Sequence, residues 1–257
     1  MGTLSRIAGR AGDPLCHDRR VLDRDAYLTS LERDSAAFAD LLAEADLAAP
    51  VPHCPGWTVT DLALHLSGVH RWARTAVVTA APGEEPVGPS DRDGLVAWCR
   101  AGSAELLETL RTTDPSTPVW HFGPKPRVAS FWVRRQAHET AVHLGDLRRA
   151  AGRDAPMDPE LAADGVDEVV TVFFPRQVRL GRTPPVELAV AVTLTDTGGS
   201  WVVSGDGLTP GSDPVAGVEG SAYDVLHALW HRADADALRI VGDEAAARAV
   251  LAAALAP

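Results

Sequence analysis

Val51-Pro52-His53-Cys54-Pro55-Gly56-Trp57-Thr58-Val59-Thr60-Asp61-Leu62-Ala63-Leu64-His65-Leu66 joins a stiff turn to the start of a helix. Pro52, Pro55 and Gly56 do not continue a helix, so the chain turns there. Thr58, with Asp61 three residues on, has the pattern of a capping box, in which each side chain satisfies the other residue's backbone N–H. Beyond it Leu62, Leu66, Val69 and Trp72 recur at three- and four-residue spacing, the inward stripe of a helix that runs to about Ala80. His65 lies on that stripe, where a neutral imidazole needs a partner.

The same periodicity predicts three neighbouring helices. Leu28, Leu31, Ala36, Phe38, Leu41, Leu42 and Ala45 mark one from Asp25 to about Leu47. After the Pro/Gly-rich connection at 82–90, Ser90 or Asp91 can cap another that carries Leu95, Val96, Trp98, Leu106, Leu107 and Leu110. Gly102 weakens its middle only modestly. The stretch Pro115 to Pro126 reads as loop, with Trp120 and Phe122 in a short extended piece, before a fourth helix from Ser130 to Ala151. Four helices with long crossings make a bundle.

The pattern changes near residue 155. One more helix reaches about Phe174, and then Val186, Leu188, Val190, Val192 and Leu194 alternate as a half-buried strand. The Asp196-Thr197-Gly198-Gly199 turn supplies a hairpin partner through Trp201 and Val203. Ser221 and Asp224 cap a helix bearing Val225, Leu226, Leu229 and Trp230, Arg239–Val241 forms a strand, and an Ala-rich helix ends the chain. The fold class is α+β: a flexible arm over 1–22, a four-helix bundle over 23–154, and a small α+β domain over 155–257.

Composition narrows the function. The chain has 257 residues, 46% apolar and 23% charged, which disfavours a disordered chain, a collagen or a disulfide scaffold. A formal charge of −11 repels a polyphosphate backbone, so nucleic acid is not an expected partner. Cys16, Cys54 and Cys99 contain no Cys-x-x-Cys pair and fit neither a disulfide framework nor a zinc knuckle. No apolar run suits a signal peptide or a bilayer span, so the expected location is the cytoplasm, without membrane association. G-x-S-x-G, P-loop and G-x-G-x-x-G patterns are absent.

The densest set of ligand-type residues is His138-Glu139-Thr140-Ala141-Val142-His143. It is not an H-E-x-x-H motif: five residues turn a helix by about 500°, which leaves His138 and His143 about 140° apart. Glu139 and His143 are an i,i+4 pair and can offer one oxygen and one nitrogen to the same ion. Val133, Ala137, Ala141 and Leu144 form an apolar stripe on the opposite side, so a solvated Glu–His pair is equally consistent with the spacing. A third ligand decides between these readings, and His65 is the candidate, with a core histidine bonded to a carbonyl as its alternative. Asp61 and Asp146 are placed to orient ligand histidines from outside. His53, Cys54, His70 and Cys99 carry no local signature of their own.

Residues 51–66, together with the stretch from Arg134 and Arg135 to Asp146, resemble the two motifs of the mycothiol-dependent maleylpyruvate isomerase family. The C-terminal hairpin, Val218-Glu219-Gly220-Ser221 and Leu229-Trp230-His231-Arg232 are similar to that family's smaller domain. The chain departs from the family pattern at Leu144, where an arginine is frequent, and in the position of Asp146. The resemblance implies a DinB-like bundle with His65, Glu139 and His143 as metal ligands, zinc as the expected divalent ion, and mycothiol as the thiol cosubstrate. It further implies a metal-activated thiolate that attacks a small anionic electrophile, in an isomerase of maleylpyruvate-like cis-unsaturated acids or an S-transferase. Arg232 and Arg135 are the candidates for holding the anionic group, and helix C-terminus compensation is the competing role of Arg232. The expected assembly is a monomer or homodimer. A non-catalytic ligand-binding or regulatory protein, or a metal enzyme without mycothiol, is the alternative on the same fold.

Overall fold

The computed structural model describes residues 22–256 apart from residue 85. The arm expected over 1–22 lies almost wholly outside the described residues. The described chain divides into two compact units, residues 22–157 and 158–256.

The first unit is four helices of 21 residues each: α1 (Arg24–Glu44), α2 (Val59–Thr79), α3 (Arg92–Thr112) and α4 (Ser130–Ala150). Local chemistry sets three of the starts. The Asp23 carboxylate accepts from the Ala26 N–H at 2.7 Å, and that of Asp91 from the Gly94 N–H at 2.8 Å. Thr58 and Asp61 form the reciprocal box: the Asp61 carboxylate accepts from the Thr58 N–H at 2.8 Å, and the Thr58 hydroxyl accepts from the Asp61 N–H at 3.3 Å. α4 begins at Ala129 without a side-chain cap.

α1 packs against α3 and α4, and α2 against the same two helices, so the consecutive pair α1 and α2 is diagonal across the bundle. The turn from residue 45 to Thr58 is therefore a crossing rather than a hairpin; its three prolines are exposed, and Val51 is buried in the core. Leu31, Phe38, Leu42, Leu62, Leu95, Leu106, Leu110, Trp132 and Leu147 fill the core. Burying each such side chain contributes about 1.5–3 kcal/mol. Gly102 earns its place here: a Cβ on it would strike the Arg71 guanidinium. That guanidinium crosses from α2 to donate to the Trp98 carbonyl at 2.8 Å while lying 4.1 Å from the Trp98 ring centroid.

The second unit starts with α5 (Pro159–Glu168), capped by Asp158, and continues through one π-turn (Val169–Phe173) into α6 (Phe174–Arg179). Periodicity predicts the helix ending near Phe174; instead it widens and carries on past Pro175. A proline at the first positions of α6 has no N–H to donate, and the wider turn accommodates the missing bond. The sheet has the order β3-β2-β1-β4-β5. β1 (Val186–Leu194) and β2 (Ser200–Gly205) form the expected hairpin, and β3 (Gly207–Leu208) extends it beyond the Gly205-Asp206-Gly207 turn.

β4 (Ala216–Gly220) runs parallel to β1 and antiparallel to β5 (Arg239–Gly242). Its sequence Ala-Gly-Val-Glu-Gly has low strand propensity, which hides it from pattern reading. Gly217 is there because a Cβ would sit 2.8 Å from the Val241 side chain on the neighbouring strand. α7 (Ala222–Leu229) and α8 (Glu244–Ala252) complete the unit, capped by Ser221 and Asp243.

Candidate metal centre

The site is built on two helices that touch. His65 stands in the second turn of α2, and Glu139 and His143 are one turn apart on α4. One donor atom from each of the three lies within 4.8 Å of the others. The shared atom is Glu139 Oε1, which is 3.2 Å from His65 Nε2 and 3.3 Å from His143 Nε2. Exposure falls across the trio, from 31% for the His65 side chain to 13% for Glu139 and 7% for His143. The centre therefore opens toward solvent on the α2 side and is closed on the α4 side.

Side chains around the trio fix its orientation. Asp146 Oδ2 lies 3.0 Å from His143 Nδ1, so the Nδ1–H donates to the carboxylate and Nε2 is turned toward Glu139. The Cys54 thiol also donates to Asp146 Oδ2, at 3.8 Å. Arg135, one turn before Glu139, donates to Glu139 Oε2 at 2.5 Å. The Trp57 ring centroid lies 4.8 Å from that of His65 and 6.5 Å from that of His143, so the indole is a wall beside both imidazoles.

Ion pairing holds Glu139 and His143 in their charged forms. Burial alone would raise the Glu139 pKa, but Arg135 and the two imidazoles hold it well below the usual carboxylate range. Burial would lower the His143 pKa, yet its bonds to Asp146 and Glu139 push it up to about 9. A nitrogen–oxygen–nitrogen donor set with an ionised carboxylate is a fitting set for a divalent cation such as zinc, and it leaves coordination positions free.

α4 is not the half-solvated helix that its apolar stripe suggested. Arg135, Gln136, His138, Thr140, His143 and Asp146 are all buried, because the helix contacts α1 on one side and α2 on another. The solvated reading of Glu139 and His143 is thereby overturned. Arg135 is directed at Glu139, and Asp61 serves the Thr58 cap rather than His65. Arg232 lies in the second unit, where it is buried, donates to the Trp230 carbonyl at 2.9 Å and lies 5.1 Å from the Trp230 ring centroid. His70 is buried and bonds the Thr140 hydroxyl at 2.9 Å, and His138 meets the Tyr27 ring edge-on at 6.1 Å. Pattern reading missed Trp57 as part of the site. Its place directly before the cap that starts α2 was the available signal, since a cap fixes the path of the residue preceding it.

The sequence model of the mycothiol maleylpyruvate isomerase N-terminal domain matches residues 28–148, a span that contains all three members of the trio. An uncharacterized protein of Mycobacterium tuberculosis, matched in two strains, is 31% identical over 144 residues, covering 53% of this chain and 74% of that one. The chain belongs to the mycothiol maleylpyruvate isomerase family. The crystal structure of a mycothiol-dependent maleylpyruvate isomerase superposes with a TM-score of 0.64 at 17% identity, covering 86% of this chain and 95% of that one. A histidine-to-alanine mutant of such an isomerase gives 0.63 at 15% identity with the same coverage. At these identities the likeness to the family's solved members establishes a shared fold. None of the described helices is long and apolar enough to cross a membrane.

Proposed function

We propose that this family member is a metal-dependent enzyme using mycothiol to isomerise a small cis-unsaturated acid, with His65, Glu139 and His143 holding a divalent cation, zinc being the expected ion. The observation that carries the reading is the convergence of the three donor atoms on Glu139 Oε1 from two separate helices. A coincidental surface cluster would not also have an aspartate on the back of one histidine and an arginine on the far oxygen of the carboxylate.

When bound, a divalent cation supplies the positive charge that favours a thiolate over a thiol at neutral pH. The protein's own groups prepare the place. Asp146 accepts from His143 Nδ1–H and so leaves Nε2 toward Glu139, Arg135 keeps Glu139 ionised, and Trp57 presents an apolar wall that excludes water from one side of the imidazoles. Sulfur addition to one carbon of a conjugated cis double bond leaves a single bond that can rotate. Expulsion of the same sulfur then restores the double bond in the trans form, and the thiol is regenerated. Arg232 is our candidate for binding the anionic group of the acid substrate or the thiol cosubstrate.

The test is elemental analysis of purified wild type and Glu139→Ala after zinc incubation, followed by assay of the loaded wild type with mycothiol and maleylpyruvate. One zinc per wild-type chain, none in the variant, and a trans product consuming no thiol support the proposal. A stable thiol adduct would make the enzyme an S-transferase. A wild type that takes up no metal would leave the non-catalytic binding reading.

A further inference from the structure

We propose that Arg135 is a positioning residue that restricts Glu139 to a single donor oxygen toward a bound cation. The inference rests on the metal reading above and extends it to a residue whose sequence pattern suggested contact with substrate. A carboxylate can offer a cation one oxygen or two. Here the two oxygens of Glu139 have different partners. Oε1 faces both imidazole Nε2 atoms, at 3.2 and 3.3 Å, whereas Oε2 accepts a charge-assisted bond from the Arg135 guanidinium at 2.5 Å.

The arrangement is held on both sides. The Arg135 side chain is 3% exposed, so it does not swing to water and release Oε2 without burying an unpaired carboxylate oxygen. Arg135 and Glu139 are also one helical turn apart on α4, which places the two side chains side by side on one face. With Oε2 engaged, the protein supplies two nitrogens and one oxygen. With Oε2 released, both carboxylate oxygens would be available to a bound cation, and less of its coordination sphere would be left to an incoming group. The guanidinium thus decides how many oxygens Glu139 can offer.

A structural counter-ion would sit beside Glu139 equally well, so activity alone does not separate the two roles. The deciding experiment is a pair of crystal structures, zinc-loaded wild type and zinc-loaded Arg135→Met, with zinc content measured in parallel and Arg135→Lys as a charge-retaining control. The expected wild type has one Glu139 oxygen on zinc, and the expected Arg135→Met has two, with Arg135→Lys closer to wild type. A wild type with both oxygens on the metal overturns the proposal without any variant being needed, as does an Arg135→Met protein that keeps the one-oxygen mode. Zinc at full stoichiometry elsewhere, or no zinc in wild type, defeats the metal reading itself and is recognised from the wild-type structure.

Discussion

On α4 the buried set includes Arg135, Gln136, His138, Thr140, His143 and Asp146, whereas on β1 it is Val190, Val192 and Leu194. The strand hides apolar side chains on one face and leaves alternate positions to the other, so its interior follows the two-residue period of its backbone. The helix hides charge and hydrogen-bonding groups on several faces. Burying such groups is unfavourable unless they are satisfied; on α4 the pairs His143–Asp146, Arg135–Glu139 and Thr140–His70 do this, whereas both amide atoms of Gln136 are buried without a hydrogen-bond partner among the described residues. Where a chain carries that many polar groups inside, function is the usual reason, because an apolar helix would pack with less risk.

The comparison breaks first at the trio. His65→Ala and His143→Ala each remove one of three donors, and we expect both to lose stoichiometric zinc while the helical circular dichroism stays near wild type. Cys99→Ser, a change in the apolar side of the bundle where burial pushes the thiol up to about 11, should keep full zinc content. Elemental analysis of the three proteins decides it: zinc retained in both histidine variants would remove them from the ligand set.

His70 sharpens the contrast through pH. Its ring is buried, and its pKa falls from 6.5 to about 4, chiefly by desolvation. The unfolded chain takes up a proton there that the folded chain refuses, so the contribution is fully present above pH 6.5 and is lost as pH falls toward 4. A shift of that size corresponds to roughly 3 kcal/mol. Urea unfolding of metal-free wild type and His70→Gln at pH 7 and pH 4.5 should show a smaller acid loss in the variant. Equal losses would mean that His70 is protonated in the fold or exposed to water.

How much of this was readable beforehand follows the same division. Spacing of Leu and Val located four helices, the Thr58–Asp61 box and the β1–β2 hairpin, because these depend on local periodicity and capping. Geometry put Glu139 and His143 on adjacent turns but left their exposure open, since it depends on which helices flank α4. The pairing of Arg135 with Glu139 rather than with an external anion lies beyond spacing, because only packing shows that the guanidinium is buried. β4 escaped notice because its glycines answer to neighbouring strands, and α6 because a π-turn carries the helix past Pro175.

Asp146→Asn tests a smaller effect in the same network. The amide has nearly the same shape, but one face of it donates where the carboxylate accepts, so the bond to His143 Nδ1–H weakens. Loss of an outer partner to a ligand histidine typically costs about 10–100-fold in metal affinity. Competition against a zinc chelator should give a fall in that range with stoichiometry retained at saturation. An unchanged affinity would make Asp146 a packing residue that merely touches the histidine.

Thr58→Ala should have the smallest effect, and it separates fold from site most cleanly. The substitution removes the hydroxyl that accepts from the Asp61 N–H and leaves the Asp61 carboxylate with only the Thr58 backbone N–H. Losing such a cap costs about 1 kcal/mol. His65 stands two turns further along α2, inside hydrogen-bonded helix packed against α3 and α4, so fraying of the first turn does not reach it. Denaturant unfolding should therefore register the loss while zinc affinity stays at its wild-type value. A parallel fall in zinc affinity would show that the turn holding Cys54 and Trp57 depends on the cap to close over the centre, which would join the stiff connection to the chemistry rather than to the scaffold.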